Sequence, residues 1–189
     1  ADNKYKKRMN SVGVPMMDVD AKIIDLINGE ELPPESSGEI IIKGPSIFKG
    51  YWRKEDKTRK ALKDGWFYTN DIGRMDKDGV FYIEGRRDDM INVRSEKVWP
   101  REIESILEQN PKVLDVAVIG VDSEYYGQAI KACIVLKYGF QSSEQEIIEY
   151  CKERITPHKV PHMVEFFQEL PKSNLGKTLH SQLRKREIK

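Results

Sequence analysis

The sequence predicts an α+β chain, with a small antiparallel β-rich first half and, from about residue 90 onward, a compact domain mixing helices and strands. Two observations carry this reading. In the first half, short apolar runs alternate with glycine- and asparagine-bearing turns, as in a small antiparallel sheet or barrel. After the charged, turn-prone stretch Gly85-Arg86-Arg87-Asp88-Asp89, helical periodicities interleave with runs rich in β-branched residues.

Taken in chain order, residues 21–27 and 39–43 read as strands, separated by Asn28-Gly29 and the polar stretch 32–38. One short charged helix is expected near residues 55–62. The mixed-sign run 54–60 reads as its solvated face. Residues 66–70 and 80–84 flank Asp76-Lys77-Asp78-Gly79, a hairpin turn signal. In the second half, Pro100 opens a helix with Ile103, Ile106 and Leu107 on one face, and Asn110-Pro111 stops it. Residues 113–121 and 132–136 are buried-strand candidates. Ser143 and Glu146 form a capping box ahead of a helix face made by Ile147, Ile148, Cys151 and Ile155. A strand at 163–167 and a short basic helix complete the domain, for which two helices among three strands are expected.

With 189 residues there is room for one ordinary domain or two small ones. A net charge of +1 argues against nucleic acid as the main partner, and no apolar run approaches the roughly 20 residues of a membrane helix. Residues 1–10 are polar and basic without an apolar stretch, unlike a signal peptide. Cys133 and Cys151 lie in apolar segments and read as buried free thiols of a reducing cytosol, with a single disulfide as the open alternative. His158 and His162 are four apart, but Pro157 and Pro161 deny them a shared helix face, so no metal site is expected.

Three motifs carry chemistry. Gly65-Trp66-Phe67-Tyr68-Thr69-Asn70-Asp71 sets a carboxylate just past an aromatic strand, and an ionised carboxylate can accept from both hydroxyls of a ribose. Taken alone, such an Asp is most often a turn residue. Arg86, directly after Gly85, could reach a ribose hydroxyl or a phosphate oxygen. Its plainer reading is an ion pair with Asp88 or Asp89. Pro171-Lys172-Ser173-Asn174-Leu175-Gly176-Lys177 presents a mobile lysine able to neutralise growing charge on a phosphoryl or carboxylate oxygen, although alone it is one solvated lysine among many. The basic tail Arg184-Lys185-Arg186 could touch a phosphate, but its plainer reading is a frayed terminus.

The order of these motifs resembles the acyl-adenylate-forming superfamily. The resemblance starts at Ser11-Val12-Gly13-Val14-Pro15 and passes through Gly38-Glu39-Ile40, Gly44-Pro45 and Gly50-Tyr51-Trp52. It continues through Thr69-Asn70-Asp71, Gly85 to Asn92 and Pro100-Arg101-Glu102-Ile103-Glu104 to the lysine loop. It implies a last β-rich subdomain of an AMP-binding core over residues 1–87 and a mobile α+β C-terminal domain over 88–189. Asp71 and Arg86 are then expected at the ribose and phosphates, Ile83 against the nucleotide, and Asp88 at the interdomain hinge. Lys177 is expected to align the carboxylate with the α-phosphate. Val93, Arg94, Ser95 and Glu96 would line the thiol channel.

The reaction implied joins a carboxylate to ATP as an acyl-adenylate, releasing pyrophosphate, and then passes the acyl group to coenzyme A. Tyr51-Trp52 and the segment 98–104 resemble medium- and long-chain fatty-acid ligases. Fatty acid, ATP and coenzyme A are the expected small molecules, and a cytoplasmic location is expected. The remaining N-terminal core of the same polypeptide is the expected partner and carries the magnesium ligand, so these residues alone should be inactive. A carrier-protein-loading adenylation enzyme and a non-catalytic binding module are the rival readings. Use of free coenzyme A separates the first from the ligase.

Two departures from the family pattern stand out. Asn70 replaces the usual glycine before Asp71 and is expected to adopt the same left-handed backbone. Ser95 stands where most members carry glycine, a side chain that can narrow the thiol channel.

Overall fold

A computed structural model describes residues 11–187 and divides the chain into two compact units, Ala1–Asp88 and Asp89–Lys189.

The first unit is a five-stranded antiparallel sheet. Strand β1 (Asp20–Ile24) pairs with β2 (Gly38–Lys43), and β2 with β4 (Trp66–Met75). The short β3 (Leu62–Lys63) and β5 (Phe81–Arg86) both pair with β4. β1 stops earlier than its apolar pattern suggests, because Asp25 Oδ1 accepts from the amides of Ile27 (2.7 Å) and Asn28 (3.0 Å). That side-chain turn diverts Ile27 from the ladder and leaves it exposed. The hairpin between β4 and β5 is the expected one, with Asp76 Oδ1 accepting from the amides of Asp78 and Val80. Helix α1 (Glu55–Ala61) buries none of its residues, as its charge pattern predicts. The core of this unit is thin. Ile23, Ile40 and Phe81 cluster under half-buried Ala21, Leu32, Ile42 and Met75.

The second unit has five strands rather than three. Strands β8 (Val113–Ser123) and β9 (Gly127–Leu136) form a long antiparallel pair, and β10 (Met163–Phe167) runs parallel to β9. The two strands absent from the sequence reading, β6 (Ile91–Val93) and β7 (Glu96–Val98), form a hairpin that joins β9 through Val93 and Gly127. Three-residue strands among charged residues leave too little alternation to detect.

Alternating β8 and β9 side chains face two different layers. On one face Val116, Val118, Ile130, Ala132 and Ile134 pack with Ile103 and Leu107 of α2 (Pro100–Leu107) and Ile147 and Cys151 of α3 (Glu144–Lys152). On the other face Ala117, Ile119, Ala129, Cys133 and Val135 pack with Leu170 and with Leu183 of α4 (His180–Glu187). Strands covered on both faces read as near-continuous apolar runs, as these do. The Ser143–Glu146 capping box is formed in both directions, and α3 ends before Ile155, which still packs against the first layer.

The basic tail is not frayed: Leu183 is 1% exposed and Arg184 Nη1 lies 2.9 Å from Asp89 Oδ1. Both cysteines are free, settling the open alternative, and they sit in opposite layers. Burial pushes the Cys133 thiol up to about 12 and the Cys151 thiol up to about 11, which makes both poor nucleophiles.

Candidate active site

Asp71 is presented by a break in strand pairing. Glu39 pairs with Ile72 and Ile41 with Tyr68, so Ile40 alone stands opposite Thr69, Asn70 and Asp71. The surplus residues bulge, and a bulge re-aims side chains that a regular strand would hold flat. Asn70 takes φ +63°, the left-handed conformation expected of it. Thr69 Oγ1 donates to the Ile40 carbonyl at 2.6 Å and accepts from the Asp71 amide at 3.0 Å. The Asn70 amide donates to Glu39 Oε1 at 3.0 Å. Just beyond, a Cβ at Gly73 would strike the Tyr82 carbonyl oxygen, so only glycine lets β4 and β5 approach there.

Asp71 stands opposite Arg86 across the β4–β5 ladder, with Oδ1 3.2 Å from Nη1. This displaces the plainer expectation for Arg86: its partner is Asp71, not Asp88 or Asp89, and Asp89 is held by Arg184. The Asp71 and Arg86 side chains are 30% and 55% exposed, so their pairing contributes only about 0–1 kcal/mol. Beneath Asp71 lies a cleft of about 230 Å³ lined by Ile40, Ile42, Thr69, Phe81 and Ile83. Ile83 is 45% exposed. The arrangement can hold a molecule with a flat apolar body, vicinal hydroxyls facing a carboxylate, and an anion facing a guanidinium.

Two residues of this site escaped the sequence reading. Glu39 is only 3% exposed, and its second oxygen accepts from Arg87 Nη1 at 3.0 Å. One buried carboxylate therefore ties the Asn70 amide to the residue after Arg86. The available signal was a charged residue heading the run Ile40-Ile41-Ile42, since a carboxylate entering an apolar strand must find partners. Asp88 falls in the 3₁₀ turn Arg87–Asp89.

The other candidates belong to the second unit. Lys177 sits on a hydrogen-bonded hairpin rather than a loose loop. Ser173 donates its amide to the Lys177 carbonyl at 2.8 Å, and the Lys177 amide donates to Ser173 Oγ at 3.2 Å. Lys172 bridges to Thr178, and Gly176 supplies the φ of +77° at the tip. Lys177 is exposed. Its amide contacts fix the backbone and leave the ammonium facing solvent.

Val93, Arg94, Ser95 and Glu96 form the tip of the β6–β7 hairpin. Val93 pairs with Glu96 around the two-residue turn Arg94-Ser95. The residue at positive φ there is Arg94 (+57°), and its guanidinium lies over the rings of Tyr125 and Tyr126. Ser95 is exposed at the tip. His162 is otherwise engaged: its Nδ1 accepts from the Ile130 amide at 3.1 Å, and its ring packs on Tyr126. Among the described residues no group of three or more His, Cys, Asp or Glu is arranged to hold a metal ion.

Comparison with known proteins places the chain by family and fold. The family model of AMP-binding enzymes matches residues 1–52, and that of the AMP-binding enzyme C-terminal domain matches residues 102–177. A long-chain-fatty-acid–CoA ligase of Bacillus subtilis is 40% identical over 96% of this chain and 32% of its own length. ATP-bound MatB from Rhodopseudomonas palustris superposes with a TM-score of 0.88 at 34% identity, over 94% of this chain and 35% of that one. O-succinylbenzoate CoA synthetase (MenE) from Bacillus subtilis, in complex with its acyl-adenylate intermediate, gives 0.88 at 32% identity over 95% of this chain and 36% of that one. The chain thus spans about a third of the length of the curated relatives it matches.

Proposed function

The chain belongs to the acyl-adenylate-forming AMP-binding enzymes, and we propose that it is the C-terminal part of an ATP-dependent fatty-acid–CoA ligase. The observation that carries this reading is the bulge that aims Asp71 beside Arg86 above an apolar cleft. In the proposed site Asp71 accepts from the ribose hydroxyls, Arg86 meets the ribose and phosphates, and Ile83 packs against the base. The substrate carboxylate oxygen attacks the α-phosphorus of ATP, and the bond to the bridging oxygen breaks to release pyrophosphate. Lys177 neutralises charge on the carboxylate and α-phosphate as it grows, a contribution of preorganised charge and orientation.

In the second step the thiol sulfur of coenzyme A attacks the acyl carbon. The bond to AMP breaks and the thiol proton is released. Residues 1–87 serve as the last subdomain of the core and 88–189 as the mobile domain. Asp88 takes up the backbone change at the hinge, and Val93, Arg94, Ser95 and Glu96 line the thiol path. Ser95 stands at the exposed tip of that hairpin. We assign the magnesium that accompanies ATP, the acyl pocket and the phosphate loop to the rest of the polypeptide. No helix of the described residues is long and apolar enough to cross a membrane. The two free thiols suit a reducing compartment, and we place the enzyme in the cytoplasm.

The acid is the finer part of the proposal. Long-chain-fatty-acid–CoA ligases among the relatives support a fatty acid, whereas the succinylbenzoate enzyme is a similar protein whose name carries another acid. The test is acid-dependent pyrophosphate release by the full-length parent across fatty acids, succinylbenzoate and short dicarboxylic acids, with and without coenzyme A, beside Lys177→Ala. Release that needs a fatty acid, yields a coenzyme A thioester and collapses in the variant is expected. Turnover only with an aromatic or dicarboxylic acid would overturn the fatty-acid assignment, and turnover only with a carrier protein would overturn coenzyme A as acceptor.

A further inference from the structure

The Lys177 hairpin runs directly into α4, and the first residue of that helix is His180. His180 Nε2 lies 2.7 Å from Glu104 Oε1 on α2. Glu104 is 8% exposed in its side chain, and the same oxygen accepts from the Val118 amide of β8 at 2.9 Å. A carboxylate oxygen has no proton to give, so His180 Nε2 is the donor. Arg101 Nη1 stands 3.9 Å from the other oxygen. The remaining charges facing His180 are Asp89 and, on its own helix, Arg184, which pair with each other. The bond to Glu104 raises the His180 imidazole above its ordinary value, with Asp89 adding to this and burial and Arg184 opposing it.

The hairpin has two roots. One is Leu170, 3% exposed in the second core layer, followed by Pro171, whose carbonyl accepts from the Leu179 amide at 2.8 Å. The other is His180. Beyond these roots Lys172 pairs with Asp115 of β8 at 2.7 Å, and the tip itself is open, with Leu175 87% exposed and Lys177 exposed. The Lys177 backbone is therefore set at the roots, and at the second of them the His180–Glu104 bond is the contact nearest the tip, ahead of Leu183 in the core and Arg184 on Asp89.

We propose that Glu104 and His180 form a positioning clasp for Lys177, required for adenylate formation and dispensable for the thioester step. The proposal rests on the adenylating role of Lys177 given above. It separates two steps that a purely structural pair would lower together, because the β6–β7 hairpin proposed for the thiol path belongs to the same unit.

The experiment uses the full-length parent enzyme with His180→Ala, His180→Arg and, as a control, Lys177→Ala. Acid-dependent pyrophosphate release is measured beside coenzyme A thioester formation from a supplied acyl-adenylate. His180→Ala is expected to lower kcat of the first reaction by about 10- to 100-fold with KM for ATP little changed. The second reaction should stay within about twofold of wild type. His180→Arg, which keeps a cationic donor facing Glu104, should restore most of the loss. A parallel fall in both reactions, or a fall in neither, would overturn the clasp. Amide exchange at Gly176, Lys177 and Leu179 provides a readout without activity, and these amides should exchange faster in His180→Ala. If Lys177→Ala leaves adenylate formation intact, the function assigned to Lys177 fails, while unchanged exchange in His180→Ala is what defeats the clasp itself.

Discussion

The two units present their charged groups in opposite ways. Asp71 projects from the interior of a ladder, between strands on both sides, with its bulge fastened to a buried carboxylate. Lys177 projects from the tip of an exposed hairpin whose backbone is ordered but whose surroundings are solvent. Cores differ in the reverse sense: the unit with the embedded aspartate has a thin cluster, whereas the unit with the outlying lysine has a sheet covered on both faces. Local fixation of a group and the overall packing of its unit are thus separate quantities. An anchor for a bound sugar benefits from the first, and a group that must arrive and leave benefits from a stiff carrier with a free tip.

The largest test of this contrast compares the two groups in the parent enzyme. Lys177→Ala should lower kcat for adenylate formation by about 10²–10³-fold with KM for ATP nearly constant. Asp71→Ala should act mainly on KM for ATP, raising it about 10- to 100-fold through loss of charged hydrogen bonds. The same kinetic pattern from both variants would erase the distinction.

Next in size is the fastening of the bulge. Removing the carboxylate in Glu39→Ala strands the Asn70 amide and Arg87, and should cost about 1–3 kcal/mol. Denaturant unfolding of the 189-residue chain followed at Trp66 measures it, and an unchanged midpoint would mean that the bulge holds without Glu39. Asn70→Ala should cost about 1–2 kcal/mol, because an alanine gains nothing from φ +63°, while Asn70→Gly should be close to neutral. Equal stabilities for the two variants would show that the strand relaxes out of the left-handed turn.

The smallest effect is a pH slope confined to the second unit. His180 titrates above its ordinary 6.5 in the folded chain, so its stabilisation is complete below 6.5 and is lost as pH rises from there through the higher folded value. His162 is lowered by burial and by Arg94, so its contribution is present above 6.5 and is lost as pH falls. Unfolding midpoints across this range should decline on the alkaline side in wild type, and that decline should flatten in His180→Ala. A decline that survives the substitution would assign it to another group.

Much of this architecture is legible in the residues. The Asp76 hairpin, the capping box of α3, the proline start of α2 and the solvated α1 each follow from local chemistry that tertiary packing does not contradict. The failures share a cause. Ile27 looks like strand until Asp25 captures its amide, and 91–93 and 96–98 are strands because they pair with each other and Val93 meets Gly127 of β9. The site divides in the same manner. Asn70 could be assigned its backbone angle in advance because that demand is local. The Glu39 carboxylate that holds it comes from 31 residues away and gained its meaning only when β2 met β4. Arg86 could be singled out by its spacing, but its partner could not, since cross-strand register selects Asp71 over nearer aspartates.

The doubly covered sheet of the second unit has a mechanical consequence. The hairpin that carries Lys177 follows β10 and leads into α4, and the Arg94-Ser95 hairpin is joined to β9, so both ride on one plate. The separation of their roots is a property of the plate, whatever freedom each tip keeps. Under the proposed function the two chemical steps then share a single degree of freedom. A displacement of the unit that moves one hairpin carries the other with it, as two handles on one tray travel together.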